Sequence, residues 1–403
     1  MTREGPKELP RVRFGQIAEF RNGLNFDVSA TGQSVKVAGV GSFLQRSRLD
    51  DFSDAAIVTV RGEVPQESLL RDGDLLFVRS NGSKDLVGRC AMVFPGNERV
   101  AFSGFTIRAR VTRDDVDSSY LLAVARSELF RRELHEKGAG SSITNLSQEL
   151  LSEVEVPLPD LATQRRIATA LRTWDDAIDR TERLIAAKRA SYDAERRQAL
   201  APAFAQATNW TQRLLGWAFA ERVEHDPTLP LASITAADGV IDRELVDRRD
   251  TSPEDKSSYK VIRPGDIGYN TMRMWQGVSG LSNLDAIVSP AYTVIVPVPN
   301  RVDAEFAAHL FKEPKMVNRL WRYSQGLVDD TLQLKFRHFA EIEVALPKIE
   351  EQKRIAFRLS AGRVELDLLN RVAARLQLQK RGLMQKLLTG EHQLRASMSE
   401  AVA

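Results

Sequence analysis

GYNTMRMWQGVSG, residues 268–280, sets Met272, Arg273, Met274, Trp275 and Gln276 in a row with no helical or strand period to bury them. Flat apolar side chains beside a forked cationic donor either pack down as a local minicore or face a partner that takes both kinds of contact. Catalytic chemistry has less to stand on. There is neither a GxGxxG nor a phosphate-cradling GxxxxGK sequence, so nucleotide hydrolysis and a dinucleotide site find no support. His135, His225, His309, His338 and His392 are scattered without metal-ligand spacing, which favours structural or solvated roles. Cys90 stands alone and reads as a small buried hydrophobe. PEDK at 253–256 offers a carboxylate and a lysine such as some metal-dependent nucleases use, but it precedes a strand and reads as a solvated turn.

The loop has a counterpart. GDLLFVRSNGSKDLVG (73–88) and GDIGYNTMRMWQGVSG (265–280) share a Gly-Asp pair followed by an apolar residue, with Gly88 and Gly280 closing each stretch at the same spacing. A second match follows each copy. VEVPLPDLATQRRIATAL (154–171) and IEVALPKIEEQKRIAFRL (342–359) align without a gap, with Pro159, Gln164, Arg166, Ile167 and Ala168 recurring as Pro347, Gln352, Arg354, Ile355 and Ala356. The offset of 188 residues is the size of a domain plus a connector, too long for a solenoid repeat. The chain therefore reads as domain, helix, domain, helix.

The helices follow from periodicity. Leu171, Ile178, Ile185 and Tyr192 recur every seven residues after Pro159, and Leu359, Leu366, Ala373, Lys380 and Leu387 do so after Pro347. Thr181, Lys188 and Gly362 interrupt these seams. A helix of about 40 residues extends about 60 Å, more than the width of a 150-residue domain, so each helix is expected to pair chiefly with the other. Packing onto its own domain is the alternative. The Pro202 region is expected to end the first helix, and Gly390 to stand just past the end of the second. DLLFVRS, RCAMVF, FTIRARV, VIRPGDIGY and AYTVIVPVP read as strand runs. Residues 118–134 and 304–321 read as amphipathic helices, the second interrupted at Pro314. Each half is an α+β domain.

Composition bounds the partners. At 403 residues the chain exceeds one core, and 43% hydrophobic with 28% charged residues is ordinary for a globular protein. The net charge of +3 divides into −2 over 1–160, +3 over 161–200, −3 over 201–347 and +5 over 348–403. The globular parts carry no bulk basic field, so any polyanion contact rests on local patches. One cysteine, no apolar run near the roughly 20 residues of a membrane span, and a charged, proline-bearing start MTREGPKELP lead to the expectation of a cytoplasmic protein without membrane contact.

Taken together, these segments resemble the specificity subunits of type I restriction-modification systems. The resemblance is carried by PLPDLATQRRIATAL, ALPKIEEQKRIAFRL, the terminal LMQKLLTGEHQL, GDIGYNTMRMWQG with VSPAYTV (288–294), and GDLLFVRSNGSKDLVGR with FSGFTIRARV (102–111). It runs from about Phe14 to Leu394 and departs from the family pattern in RRQALAPAFAQATNW (196–210), where the first helix ends. It implies two α/β target recognition domains, each reading half of a split DNA target, separated by two long antiparallel helices that form a coiled coil. The corresponding boundaries are 1–159 and 206–347 for the domains, with 160–205 and 348–403 for the spacer helices and tail. It further implies double-stranded DNA, two copies of a methyltransferase subunit and restriction subunits as partners in methylation and phage defence. No catalytic centre or cofactor is expected in this chain, and S-adenosylmethionine, ATP and Mg belong to the partners. The chain also lacks a methyl-donor glycine motif and the Asn/Asp-Pro-Pro-aromatic motif of amino-methyltransferases.

On that reading Arg79 or Arg273 would offer a bidentate pair to guanine, and Asn81 or Gln276 one to adenine. Met274 and Trp275 would touch a thymine methyl or wedge against a base, with Trp275 and Met272 alternatively structural. Ser80, Ser83, Lys84 and Tyr292 suit phosphate contacts. Two other function classes stand beside this one: a nuclease or methyltransferase in its own right, and a coiled-coil scaffold that binds protein only.

Overall fold

The computed structural model describes residues 9–25, 32–43, 47–138, 145–205, 209–236, 239–245, 255–328 and 331–394. The chain forms two units. One comprises residues 1–181 and 372–403, the other 182–371, so each long helix contributes to both. The fold is α+β throughout.

In the first unit Leu75–Val78, buried along its whole length, is the centre of a five-stranded sheet. A run apolar on both faces needs cover on both sides and so takes a central place. Its neighbours are Thr106–Val111, which pairs onward with Ala18–Asn22, and Cys90–Val93, which pairs onward with Arg48–Leu49. A second, three-stranded sheet joins Ala56–Arg61, Gly32–Ala38 and Val100–Phe102. The second unit repeats the main order in Phe219–Glu221, Tyr292–Pro297, Ile267–Asn270 and Ser279–Leu281, all antiparallel. The run VIRPGDIGY is two strands, Lys260–Ile262 and Ile267–Asn270, because Gly265 turns the chain at φ +93°. Each unit also pairs its first strand with the strand before a long helix: Arg11–Arg13 with Glu155–Pro157, and Thr211–Leu214 with Glu343–Leu346.

The Gly-Asp pair of the repeat has one job in both units. Gly73 at φ +87° and Gly265 make the turn, and the buried carboxylates of Asp74 and Asp266 accept from the N–H of Arg71 (2.7 Å) and Arg263 (2.8 Å). Each carboxylate is then gripped by two nitrogens of one guanidinium. Arg110 reaches Asp74 at 2.7 Å through Nε and Nη2, and Arg222 reaches Asp266 at 2.7 and 3.1 Å. The arginine comes from different strands in the two copies. Arg110 lies in Thr106–Val111, whereas Arg222 follows Phe219–Glu221 at the edge.

Amphipathic helices cover the sheets. Residues 118–134 form two helices and not the single one expected, Ser118–Ala125 and Glu128–Lys137, because the Ser127 hydroxyl accepts from the Phe130 N–H and starts the second. The second unit breaks at the corresponding place, where Pro314 opens Pro314–Tyr323 after Ala304–Leu310, as its missing N–H and fixed φ dictate.

The long helices are Leu161–Leu200 and Ile349–Leu388. Gly390 follows the second at φ +76°, and a short 3-10 turn carrying Pro202 follows the first. Within the first unit Asp175 pairs with Lys380, and Ile167 and Leu171 share a core with Leu387 and Leu388. Within the second unit the helices run antiparallel, with Lys188 on Glu365 at 2.7 Å and Arg358 on Glu195 at 2.9 Å. Two of the seam interruptions thereby acquire roles: Lys188 carries an ion pair, and Gly362 leaves room for Tyr192, whose ring would sit 3.0 Å from a Cβ there. The helices do both things considered from sequence, since their ends also join domain cores: Leu200 and Leu359 are buried in one cluster with Phe306 and Val344 in the second unit.

What fastens each domain to the start of its helix is a buried glutamine. Gln164 donates through Nε2 to the carbonyls of Pro159 (2.8 Å) and Asp115 (3.0 Å), and its Oε1 accepts from the Asp117 N–H at 2.9 Å. Gln352 does the same with Pro347 (2.9 Å), Arg301 (3.1 Å) and the Asp303 N–H (2.9 Å). Asp117 and Asp303 in turn cap the helices that begin at Ser118 and Ala304. One side chain thus ties the start of the helix to a second segment, and losing it strands one buried and two part-buried backbone groups.

In the last turn of Ala304–Leu310, His309 is held between Tyr192 Oη, 3.1 Å from Nδ1, and Ser360 Oγ, 3.0 Å from Nε2, while Ser360 donates to Glu305. Burial, with Arg363 and Arg196 nearby, lowers its pKa to about 4.

Both arrangements bear on stability in measurable ways. Gln164→Ala and Gln352→Ala should each lower it by about 1–3 kcal/mol, the cost of one stranded buried group, the part-buried pair adding less. A thermal melt indistinguishable from that of the parent protein would refute the fastening role. His309 is neutral when folded, so on acidification the unfolded chain binds the extra proton first. Stability is full above the unfolded pKa of about 6.5 and falls as the pH drops towards about 4. His309→Gln should flatten that part of the melting-temperature profile.

Candidate nucleic-acid interface

At one end of each main sheet the same three segments meet. In the first unit they are the loop after Leu75–Val78, the turn before Thr106–Val111 and the chain entering Leu146: Arg79 N–H donates to Phe105 O at 2.8 Å, and Leu146 N–H to Arg79 O at 2.8 Å. In the second unit Thr271 N–H donates to Ala291 O at 2.9 Å, and Leu334 N–H to Thr271 O at 2.8 Å. These paired bonds equate the two loops position by position. They set Arg79 opposite Thr271, and at the same spacing Asn81 opposite Arg273.

The MRMWQ stretch is part scaffold and part surface. Met274 is completely buried in the second unit's core, among the residues that include Phe306, Phe311 and Met316. This corrects its assignment as a base contact, because the 3-10 turn Met274–Gln276 points its first side chain inward. Trp275 is half-buried, and its indole N–H donates to Met272 O at 3.0 Å, within the loop itself. Gly277, at φ +75°, ends the turn against Val317, and Lys312 donates to its carbonyl at 2.8 Å. Burial, with Arg363 and Arg196 near, lowers the Lys312 pKa to about 8, as suits a strut inside the protein. On this support Met272, Arg273 and Gln276 are exposed together.

In the first unit Asn81 and Ser83 are exposed, the Asn81 Oδ1 accepting from the Ser83 N–H at 3.0 Å, while Arg79 and Ser80 are half-buried. Arg79 Nη1 lies 3.3 Å from Gly104 O, so part of its guanidinium braces the neighbouring turn. The Lys84 side chain lies outside the described residues. Tyr292 is half-buried against the cluster of Ala232, Ile234 and Val240.

Sequence reasoning missed the cations that stand next to Met272. Lys335 and Arg337, both exposed, line with Lys260, Thr271, Met272 and Gln333 a cleft of about 440 Å³. They lie outside any motif, after the returning chain, which the bond from Leu334 to Thr271 joins to the loop. Phe105 was missed too. It is 64% exposed, although it stands in the quoted FSGFTIRARV stretch.

Alternative chemistry gains nothing from the structure. Cys90 is buried in an apolar setting that pushes its thiol well above the ordinary range, which keeps it from acting as a nucleophile. Among the described residues no cluster of His, Cys, Asp or Glu could hold a metal ion, and no helix is long and apolar enough to cross a membrane. Of PEDK, Pro253 and Glu254 lie outside the described residues, and Asp255 accepts from the Ser257 N–H in a turn.

Comparison with known proteins converges on one family. The family model of the type I restriction modification DNA specificity domain matches residues 6–187. Two curated relatives are similar over 135 residues: the StySPI type I restriction enzyme specificity subunit of Salmonella potsdam at 25% identity, and the EcoKI specificity subunit of Escherichia coli at 26%. Each alignment covers 33% of this chain and only 28% of the relative's length. Two solved structures share the fold over nearly the whole chain. One, from work on complex assembly and conformational transition of the type I R-M system, has a TM-score of 0.59 at 17% identity and covers 97% of this chain and 100% of its own. The other, a type I restriction-modification S subunit from M. genitalium, has a TM-score of 0.57 at 12% identity and covers 96% and 98%.

The burial pattern predicts a separation of effects. Met274→Ala should destabilise the protein by about 2–5 kcal/mol, as large-to-small changes in a core do. Arg273→Ala and Gln276→Ala should cost under about 0.5 kcal/mol, the range for exposed polar truncations. Equal losses in denaturant titrations of all three would show that the loop is packed down as a whole.

Proposed function

We propose that this chain, a member of the type I restriction modification DNA specificity family through residues 6–187, is the subunit that reads a bipartite DNA target for a restriction-modification complex. The observation that carries the reading is the duplicated three-segment loop assembly, bonded alike in both units and differently furnished in each. Two similar frames with different exposed side chains are what a reader of two unlike half-targets requires. Its domains are 1–159 and 206–347, with 160–205 and 348–403 as spacer helices and tail.

In this reading Arg273, Gln276, Asn81 and Ser83 meet DNA directly, with Lys335 and Arg337 on its phosphates. Arg79, Ser80, Trp275 and Tyr292 brace the loops and contact DNA through what they leave exposed, and Lys84 adds a phosphate contact. Arginine matches guanine O6 and N7 through its fork, and a carboxamide matches adenine N6 and N7. The modest charge of the globular parts makes methyltransferase subunits, two per chain, contributors to the grip on DNA. Their docking surface is supported by the exposed apolar residues Phe357, Val364 and Leu368 on the second long helix, an arrangement unusual for a helix with only solvent beside it. S-adenosylmethionine, ATP and Mg act on those partners and on the restriction subunits, in the cytoplasm, and this chain supplies no catalytic group.

Co-expression with a methyltransferase partner, followed by sequencing of methylated bases, tests the proposal. One split motif should be modified, and only when this chain is present. Replacing residues 14–155 with the matching domain of a relative should change one half of that motif. Chain-independent methylation, or cleavage by the purified chain alone, would sink the reading.

A further inference from the structure

We propose that Phe105 is an apolar base contact of the first domain, pressed against one base of the half-target which that domain reads; the inference rests on the DNA-reading function above. A single phenyl ring 64% open to solvent is ordinary by itself, and what sets Phe105 apart is the turn that holds it and the loop it adjoins. Its backbone is fixed from several sides. Phe105 N–H donates to Ser103 Oγ at 3.1 Å, and its carbonyl receives Arg79 N–H at 2.8 Å. Thr106 returns to Ser103 O through its N–H (2.8 Å) and its hydroxyl (2.6 Å). Gly104 donates to Leu24 O at 2.8 Å and its carbonyl lies 3.3 Å from Arg79 Nη1. A ring held on so constrained a turn loses little freedom on contact, which is the condition under which an apolar group adds to affinity.

Its place selects the partner. The carbonyl of Phe105 is bonded to the loop that displays Asn81 and Ser83, so ring and polar groups stand on one rim. Small polar donors beside an aromatic face match a base edge and its neighbour in a groove. The corresponding residue of the second unit is Ala291, and there the exposed apolar side chain comes from the loop, as Met272 at 44%. Each frame thus has one large apolar residue at its rim, placed on a different segment, and the two domains press on their half-targets at different points.

The test uses the full chain co-expressed with its methyltransferase subunit and reads the methylated motif. Phe105→Ala should keep the gap and the second half-target while the preference at one position of the first half falls about tenfold, the low end of what a specific base contact supplies. Phe105→Leu should keep part of that preference. Ile57→Ala, which removes another exposed side chain of the same unit on Ala56–Arg61, should leave the motif unaltered. An unchanged motif in Phe105→Ala, or an equal loss across both halves with an unchanged melting temperature, overturns the inference. Absence of any chain-dependent split motif with the parent sequence would instead refute the DNA-reading function itself.

Discussion

The fold depends on the carboxamide of a buried glutamine, used twice. An amide is suited to the task because it donates twice and accepts in one plane, and Gln164 and Gln352 each spend three bonds on backbone groups of two segments, the one leading into the helix and the one before the capped helix. A glutamate would lose both donors, and an apolar residue would strand every group. The direction in which each long helix leaves its domain is fixed by this one side chain together with the apolar face that starts at Ile167 and Ala356.

From that fixed origin the sheets present their loops. The strand order repeats, the turn glycines repeat at positive φ, and the buried Asp74 and Asp266 hold the turn that precedes the central strand. The loop rim is accordingly a property of the frame, and its side chains are free to differ. Asn81 stands where the second unit has Arg273, and Phe105 where it has Ala291. A scaffold that keeps backbone bonds and releases side chains separates what holds the frame from what it displays, which is why Met274 is buried and Arg273 exposed in one turn.

Much of this was legible in the sequence, for identifiable reasons. Gln164 and Gln352 appeared as repeated letters, and both make the same three bonds, two donated and one accepted, that a carboxamide supplies. The long helices showed through their heptads, and the break at Pro314 through proline's missing N–H. The break at Ser127 was not legible, since serine fits within a helical pattern until its hydroxyl is seen to cap Phe130. Met274 was misread because alternation fails in a 3-10 turn, so neither period says which side chain turns inward. Lys335 and Arg337 were invisible for the opposite reason: their nearness to Met272 depends on a backbone bond across distant segments.

The two aspartates differ in where their arginine comes from, and this limits which segments of the two units could be interchanged. Arg222 occupies the edge-strand place that Arg21 has in the first unit, where Arg21 instead pairs with Glu67 at 3.2 Å. A crossover that joined the first strand of the second copy to the remainder of the first would bring Arg222 and Arg110 to the single carboxylate of Asp74. Such a hybrid buries an excess cation, whereas an exchange of whole domains carries each arginine along with its own aspartate. Each unit thus tolerates exchange only as a whole, with its own aspartate and arginine kept together.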